Sequence, residues 1–509
     1  MSYGLGRRDF LKLAGLASLG MVVPPSVQLA SNRLQGTQKN VLIIVFDALT
    51  AYNISLYGYE RETMPNLARL AKRATVYHNH FAGGNYTTPG TASLLTGTLP
   101  WTHRALGFND PAIESFSRKS IFHAFDDYYR VAYSHNTLVN TLFDQFFNDI
   151  TEYVPQDQLF IFNDSFIRKY FPNDEDIATV SWARAIKRSE GFSYSLFLSQ
   201  LYEKYRNGKV GEAARNYPYG LPNINNDNYF TLEDGISWLA DRMSGLPKPF
   251  MGYFHFLPPH FPYKPRKDFA GVFSNDSFEP IIKPEDFFTE GRSNEFLHKW
   301  RNVYDEFILH VDSEFARLFD ALEKSGILDD TWLVFTSDHG ELFERGIWAH
   351  STPTLYQPVI RVPLLVFEPG SQSGRDVYEN TSAIDLMPTL LHLTDHPIPD
   401  WAEGRILPPF TTEILQTGQP VYTVNARRNK PTAPLTEATV MLVQDNYKLI
   451  YYLGYNDYGA GDEYYQLFDI RSDPEELTNL TQTKKDTTSH LLSIIKKKLD
   501  EKNEPFITN

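Results

Sequence analysis

The stretch of sequence that decides the fold is VLIIVFD, which runs from Val41 to Asp47. An unbroken apolar run of this kind is typical of a strand that is buried on both faces of a parallel sheet. Open α/β sheets bind their ligands at the edge where the parallel strands end. We therefore expect Asp47 to lie at a ligand-binding edge.

Further apolar runs at residues 250–256, 332–336 and 362–367 predict more strands of the same sheet. Helical patterns at residues 296–322 and 384–393 alternate with these runs. Alternating strands and helices favour an α/β fold. The sequence therefore predicts a doubly wound mixed sheet that is sandwiched by helices.

The domain organisation follows from where this alternation stops. The predicted catalytic domain covers residues 38–405, with an insertion at about 115–240, where residues rich in Phe, Tyr and Asn break the rhythm. Residues 406–509 form a smaller predicted α+β subdomain at the C-terminus, with strand-like segments at 439–443 and 447–453.

Composition excludes several classes of function. Lys and Arg total 48 and Asp and Glu total 62, which gives a net charge of −14. A protein this acidic is poorly suited to sequence-independent nucleic-acid binding, so no nucleic-acid partner is expected. The 509 residues include no cysteine. This excludes disulfides, a thiolate nucleophile and cysteine-ligated metal centres.

The N-terminus carries the pattern of an export signal. Arg7 and Arg8 precede an apolar run at residues 13–23 that is too short to span a bilayer. The arginine pair resembles a twin-arginine signal, which we predict over residues 1–30, with the twin-arginine export machinery as a partner. The expected location is outside the cytoplasmic membrane. The protein would be periplasmic, extracellular, or membrane-anchored where the signal is not cleaved.

The strongest local signal for chemistry is TSDHGE at residues 336–341. Asp338 and His339 follow an apolar strand, and Gly340 allows the backbone to turn so that both side chains enter the cleft. A carboxylate beside an imidazole is suited to a divalent metal ion. A turn without a ligand is the alternative interpretation of this motif alone.

A second motif, NYTTPGTASLLTG at residues 85–97, places small hydroxyl residues before a predicted helix. The N-terminus of a helix presents free N–H groups and the positive end of the helix dipole, which suit an anionic ester. A hydroxyl that lies there beside a metal ion can lose its proton and act as a nucleophile.

Several motifs occur in an order that one known family shares. They are the strand ending in Asp47, Leu56–Gly58, Met64–Ala68, Leu95–Pro100, Pro259–Pro262, Asp338–Glu341, Arg361–Pro363, Ile384–Leu390 and Leu467–Asp469. With these motifs the chain resembles the sulfatase branch of the alkaline phosphatase superfamily, from about residue 38 to about residue 480. The resemblance implies the α/β fold of that superfamily and hydrolysis of anionic esters.

The nucleophile position departs from the usual sulfatase pattern. Sulfatases carry there a Cys or Ser that is oxidised to formylglycine, followed by a Pro and an Arg. Here Thr87 and Pro89 match the nucleophile and proline positions, and Thr91 replaces the arginine. No formylglycine is therefore expected. The resemblance extends to relatives with a threonine nucleophile that act on phosphorus, such as phosphodiesterases and phosphoglycerol transferases.

The resemblance also implies a metal site. Its predicted ligands are Asp47, Thr87, Asp338 and His339, similar to the single-metal site of the phosphoglycerol transferases. We expect one divalent metal ion, with the two-zinc site of other relatives as the alternative. Mn, Ca, Mg and Zn all accept such a ligand set.

Three candidate catalytic residues follow from the resemblance. Thr87 would be the nucleophile, and His350 and His260 would stabilise phosphoryl oxygens or protonate the leaving oxygen. His255 and Asn109 are weaker candidates for contacts with the substrate. A packed structural role is the alternative for each histidine.

Three functions remain open from the sequence. The favoured one is an exported metal-dependent hydrolase or transferase that acts on phosphate mono- or diesters through a threonine nucleophile. The second is a sulfuric ester hydrolase that works without formylglycine. The third is an inactive metal-containing protein that binds the cell envelope or a glycan.

Overall fold

The computed structural model describes residues 38–162, 193–224, 228–411, 418–459 and 461–507. The predicted twin-arginine signal at residues 1–30 lies outside this range. The strands, in chain order, are β1 Asn40–Phe46, β2 Thr75–Phe81, β3 Tyr129–Ser134, β4 Glu152–Tyr153, β5 Phe250–Phe256, β6 Thr331–Thr336, β7 Phe343–Glu344, β8 Ile347–Trp348, β9 Leu364–Phe367, β10 Arg375–Ser382, β11 Val421–Asn425, β12 Ala438–Gln444, β13 Tyr447–Leu453 and β14 Glu463–Asp469.

The large sheet confirms the predicted fold class. Within the described residues its strand order is β10-β2-β9-β6-β1-β5-β3-β4. Only β9 runs antiparallel to its neighbours, so the sheet is mixed. Strand β1 lies between β6 and β5 and pairs in parallel with both. Its central position explains the continuous apolar run, because both of its faces are covered.

The helices supply that cover. The described α-helices are Pro65–Leu70, Thr87–Thr96, Pro100–His103, Ile121–Ala124, Thr137–Gln145, Ser193–Ala214, Leu232–Met243, Asn294–Lys324, Gln357–Ile360, Leu386–Leu393 and Lys485–Ile507. None of these helices combines the length and the apolar character that crossing a bilayer requires.

Alternate residues of β1 enter two separate hydrophobic cores. Leu42, Ile44 and Phe46 pack into a core that also contains residues of helices 232–243 and 294–324. Val41, Ile43 and Val45 pack into a core with helices 87–96, 137–145 and 386–393. This alternation follows from the two-residue period of a strand and produces the predicted helical layers on both faces.

The predicted insertion at about residues 115–240 contributes to the main sheet. Strands β3 and β4 lie within that range, and β3 pairs in parallel with β5. Helix Leu232–Met243 also belongs to the core on one face of the sheet. Residues 163–192 of the range lie outside the described residues. The exact domain limits stay a prediction.

The C-terminal region contains a second sheet, with the antiparallel order β11-β12-β13-β14. One face packs against Leu491, Ile495 and Leu499 of helix Lys485–Ile507. The other face packs against Leu355, Tyr356 and neighbouring residues that follow β8. The strands predicted at 439–443 and 447–453 are β12 and β13. The segment before helix Gln357–Ile360 contacts this sheet, since the side chains of Thr354 and Tyr356 hydrogen-bond to Tyr452 and Gln466.

Candidate functional site

The ends of three adjacent strands deliver the central residues of the site. Asp47 follows β1, His255 lies near the end of β5, and Asp338 and His339 follow β6. Strands β5, β1 and β6 are parallel neighbours, so their C-terminal ends meet at one edge of the sheet. All four side chains are fully buried. The structure therefore brings these four side chains together at the edge where the sequence predicts ligand binding.

Asp47, Asp338 and His339 form a cluster with the geometry of a metal site. One potential ligand atom of each lies within 4.8 Å of those of the other two. Nε2 of His339 is 3.3 Å from Oδ1 of Asp47 and 3.7 Å from Oδ2 of Asp338. Among the residues that the structure describes, none donates a hydrogen bond of good geometry to the buried Oδ1 of Asp47. A divalent cation would satisfy this orphaned oxygen, so the donor set fits the predicted metal.

Thr87 lies beside this cluster, as the fourth predicted ligand should. It is the first residue of helix Thr87–Thr96, and its side chain is buried. Oγ1 of Thr87 is 3.4 Å from Nε2 of His339. The helix approaches closely because Gly90 has no side chain: a Cβ there would lie 2.3 Å from the backbone oxygen of Asp338.

Asn136 is a site residue that the sequence analysis missed. Its Nδ2 donates to Oδ2 of Asp47 at 2.5 Å and to Oγ1 of Thr87 at 3.3 Å. Its Oδ1 accepts from the backbone N–H of Leu138 at 2.8 Å and so caps helix Thr137–Gln145. The rule that strand ends carry functional residues would have found Asn136, since it follows β3. The sequence analysis assigned residues 115–240 to an insertion and therefore did not predict β3.

His255 lies beside the carboxylates. Its Nε2 is 3.3 Å from Oδ2 of Asp47 and 3.8 Å from Oδ2 of Asp338. Neither ring nitrogen makes a hydrogen bond of good geometry in the described structure. His255 is absent from the residues that line the adjoining cavity. The structure therefore brings His255 to the metal-type cluster, below the surface that a substrate would contact.

His260 and His350 lie on the side of the cluster that faces the adjoining cavity. Their ring centroids are 5.0 Å apart, and the centroid of His350 is 4.3 Å from that of His339. Nδ1 of His350 is 2.9 Å from Oε1 of the buried Glu341, a contact that the sequence analysis also missed. This contact fixes the orientation of the His350 ring.

A cavity of about 640 Å³ adjoins the cluster. Thr87, Asn136, His260 and His350 line it together with apolar side chains such as Trp348. Most of the cluster lies deeper, so the cavity exposes the candidate nucleophile and two histidines to a substrate. The predicted contact Asn109 is exposed and is not among the lining residues. The structure therefore does not bring Asn109 to this cavity.

Charges and burial in the cluster shift the pKa values of Asp47, Asp338 and His339. Burial alone would raise the pKa of Asp47, but His260, His255 and His339 hold that pKa well below its usual value. Burial and the charge of Asp47 raise the pKa of Asp338. Burial disfavours the charged form of His339, yet Asp338 and Asp47 outweigh it and raise the pKa of His339 to about 9. The two carboxylates therefore favour a positive charge beside them, which in the free protein is the protonated His339 and in a metal-loaded site would be the cation.

The pKa values of His260 and His350, the two histidines that line the cavity, shift in the opposite direction to that of His339. Burial lowers the pKa of His350 to about 3, and it also lowers the pKa of His260. Burial raises the pKa of Glu341 to about 7. Burial therefore disfavours the charged form of both histidines that face the cavity, and an anionic substrate beside them would favour their protonation.

Comparison with known proteins identifies the family. The sulfatase family profile matches residues 39–396. A second profile, described as N-sulphoglucosamine sulphohydrolase, C-terminal, matches residues 348–505. The first match covers more than half of the chain, and the chain belongs to the sulfatase family of the alkaline phosphatase superfamily. It is an ester hydrolase.

Individual relatives cover most of the chain. It is 26% identical over 473 residues to the choline-sulfatase of Rhizobium meliloti (strain 1021), which covers 87% of this chain and 82% of that protein. It is 24% identical to the multifunctional alkaline phosphatase superfamily protein PehA of Trinickia caryophylli, with 87% and 91% covered. The solved structure of the phosphonate monoester hydrolase SpPMH from Silicibacter pomeroyi has a TM-score of 0.62 at 20% identity, with 92% and 96% covered. This structural likeness supports the fold.

Proposed function

We propose that this ester hydrolase is an exported, metal-dependent enzyme that acts on phosphate mono- or diesters through Thr87 as the nucleophile. The observation that carries the proposal is the position of the Thr87 hydroxyl. It lies at the start of a helix, 3.4 Å from His339 and 3.3 Å from Asn136, and it lines the cavity. Threonine cannot become formylglycine, so direct attack by its oxygen is the available chemistry.

Asp47, Asp338, His339 and Thr87 are the residues that would hold a divalent cation. When bound, such an ion neutralises charge on the ester and lowers the pKa of a coordinated hydroxyl. The orphaned oxygen of Asp47 and the close approach of the buried ligand atoms of Asp47, Asp338 and His339 support this assignment. Metal dependence is also typical of the sulfatase family.

The remaining steps fall to residues around the ester. The Thr87 hydroxyl gives its proton to water in the cavity, and its oxygen forms a bond to phosphorus as the bond to the leaving oxygen breaks. His350 and His260 face the cavity and stabilise the phosphoryl oxygens, or one of them gives a proton to the leaving oxygen. Water then attacks the phosphothreonine and releases Thr87, or an alcohol accepts the group instead.

Asn136 holds the nucleophile in this scheme. One N–H bond of its amide points at the carboxylate of Asp47, and the same nitrogen lies within hydrogen-bond distance of the Thr87 oxygen. A donor beside the Thr87 oxygen stabilises its deprotonated form. Asn136 is itself held by its role as the cap of helix Thr137–Gln145, which limits the positions that its amide can adopt.

Sulfate-ester hydrolysis is the second candidate. Membership of the sulfatase family and similarity to a choline-sulfatase favour it. The threonine at the formylglycine position opposes the usual sulfatase route. Membership of a family of ester hydrolases also argues against the third alternative, an inactive envelope- or glycan-binding protein. Export through the twin-arginine machinery remains part of the proposal, supported by the sequence of residues 1–30.

Matched substrates test the proposal. Wild-type protein would be assayed with 4-nitrophenyl phosphate, a 4-nitrophenyl phosphodiester and 4-nitrophenyl sulfate, each with added Mn, Zn, Ca or Mg. We expect turnover of at least one phosphorus ester and a loss of roughly a thousandfold or more in Thr87→Ala. Thr88→Ala is the control, since the Thr88 hydroxyl donates to Phe108 O at 2.7 Å and not to the cluster. Undiminished turnover by a folded, metal-loaded Thr87→Ala would refute the mechanism.

A further inference from the structure

A second cavity, of about 260 Å³, lies next to the main one. The two cavities share Tyr86, His350 and Ser351 as lining residues. The far wall of the smaller cavity comes from the C-terminal sheet region and includes Arg427 and Arg428. A substrate bound at Thr87 can therefore extend past His350 toward these two arginines.

The two arginines differ in their ion pairs. Arg428 lies 3.1 Å from Glu437 and 3.6 Å from Asp457, so carboxylates already balance its charge. The guanidinium of Arg427 has no carboxylate within 4.0 Å among the described residues. Arg427 is nevertheless half-buried. A partly buried cation without a counterion costs free energy, so an anion that bound beside Arg427 would be stabilised by its charge.

Aromatic rings hold Arg427 by its flat face. Its guanidinium carbon is 3.6 Å from the ring centroid of Phe108 and 5.9 Å from that of Tyr86. Stacking of this kind fixes the guanidinium plane but uses none of its N–H groups. With respect to the described residues, the N–H groups at the edge of the plane are available for bidentate hydrogen bonds to a carboxylate, sulfate or phosphate.

Arg427 also lies close to the reaction site. The smaller cavity, which Arg427 lines, shares Tyr86 and His350 with the cavity that exposes Thr87. Tyr86, which Arg427 approaches, directly precedes Thr87 in the chain. A single small substrate can therefore contact both Thr87 and Arg427.

We propose that Arg427 is an anion-binding subsite for a second negatively charged group, carried by the part of the ester that is released as the alcohol. The preferred substrates are then esters with two separated anions, one at Thr87 and one at Arg427. This inference rests on the proposed function for the position of the first anion. It adds a specificity determinant that lies outside the metal-type cluster.

Paired substrates test this subsite. Arg427→Gln and Arg428→Gln would be compared with wild-type protein on the ester that the wild type turns over. That ester would carry a carboxylate, a sulfonate or a neutral carboxamide on the leaving phenol. Arg428→Gln is the matched control, because Arg428 lines the same cavity but is already paired.

We expect the wild type to prefer the charged esters in kcat/KM. Arg427→Gln should lower kcat/KM for them by roughly ten- to a hundredfold, as for the loss of hydrogen bonds to a charged group, and should leave the carboxamide ester unchanged. A larger loss for the carboxylate or for the sulfonate identifies which anion the subsite accepts. Equal losses on charged and neutral esters, or an unchanged preference in Arg427→Gln, would overturn the proposal.

A binding measurement separates this proposal from the proposed function. Calorimetry would compare phenylphosphonate and 4-carboxyphenylphosphonate as probes for wild-type protein and both variants. Tighter binding of the carboxylated probe that Arg427→Gln alone abolishes supports the subsite even where no phosphorus ester is turned over. Equal binding of the two probes by wild-type protein would overturn the subsite, whatever the outcome of the turnover assays.

Discussion

Replacing Asn136 tests how the candidate nucleophile is held. The Nδ2 of this residue donates to the buried carboxylate of Asp47 at 2.5 Å and to the hydroxyl of Thr87 at 3.3 Å. Asn136→Ser removes the amide donor. It keeps a side-chain oxygen that can cap helix Thr137–Gln145, because serine is among the best N-cap residues. The substitution therefore separates the effect on the site from an effect on the helix.

The size of the effect follows from the kind of hydrogen bond that is lost. A hydrogen bond to a charged group contributes about 1.5–3 kcal/mol. If the Asn136 amide acts mainly in the transition state, at about 1.4 kcal/mol per factor of ten this lowers kcat/KM by about 10- to 150-fold. Asn136→Asp should lose more, since it places a second carboxylate against Asp47. Asn136→Ser should retain the wild-type unfolding midpoint to within the loss of one buried hydrogen bond, whereas Asn136→Asp should lower that midpoint, because two buried carboxylates then lie in contact.

The assay is steady-state hydrolysis of the best phosphorus ester, with thermal unfolding measured in parallel. Asn140→Ser is the matched control, because Asn140 lies on the same helix and its Nδ2 donates to Ser134 O at 3.2 Å. It should lose stability without losing activity. Wild-type kcat/KM in folded Asn136→Ser would refute the argument that this amide supports Thr87.

Two further variants test the cation site and the C-terminal sheet. Asp338→Asn should lose stoichiometric divalent metal by elemental analysis, whereas Asp330→Asn, at the other end of β6, should keep it; equal metal content in both would contradict the assignment. Lys448→Met should lower the free energy of unfolding by about 3–5 kcal/mol. The substitution removes the ion-pair partner of the buried Glu476, which Lys448 contacts at 2.5 Å. Lys496→Met, which breaks an exposed pair, should change that free energy by less than about 1 kcal/mol in denaturant unfolding.

The sequence predicts those parts of the fold that depend on the residue pattern of a single segment. The apolar run of β1 requires burial on both faces wherever it lies, and β1 is the central strand. The helix predicted at residues 296–322 extends over Asn294–Lys324 for the same reason, because its apolar period is local. Strand β9 shows the limit: its antiparallel direction depends on the path of the chain, which the apolar run at 362–367 does not encode.

The candidate site divides in the same way. Asp47, Asp338 and His339 follow strands that the sequence predicts. Because ligands bind at the carboxyl ends of parallel strands, the sequence alone predicts that these residues lie together. Asn136 follows β3, whose sequence YRVAYS contains an arginine and a serine and has an apolar run of only three residues, 131–133. His255 was expected at the substrate, but the register that sets it opposite Val45 directs it to the carboxylates instead. Pairing register is a tertiary property that motif spacing does not reveal.

The most direct test of the central claim is the mass of the Thr87 peptide during turnover. Wild-type protein and Thr87→Ala would be mixed with excess phosphorus ester, quenched in acid and digested. The account predicts a wild-type peptide heavier by the transferred acid group, with fragmentation that assigns the group to Thr87, and no adduct in Thr87→Ala. An unmodified Thr87 peptide at every quench time, together with rapid hydrolysis of 4-nitrophenyl sulfate and inert phosphorus esters, would contradict it.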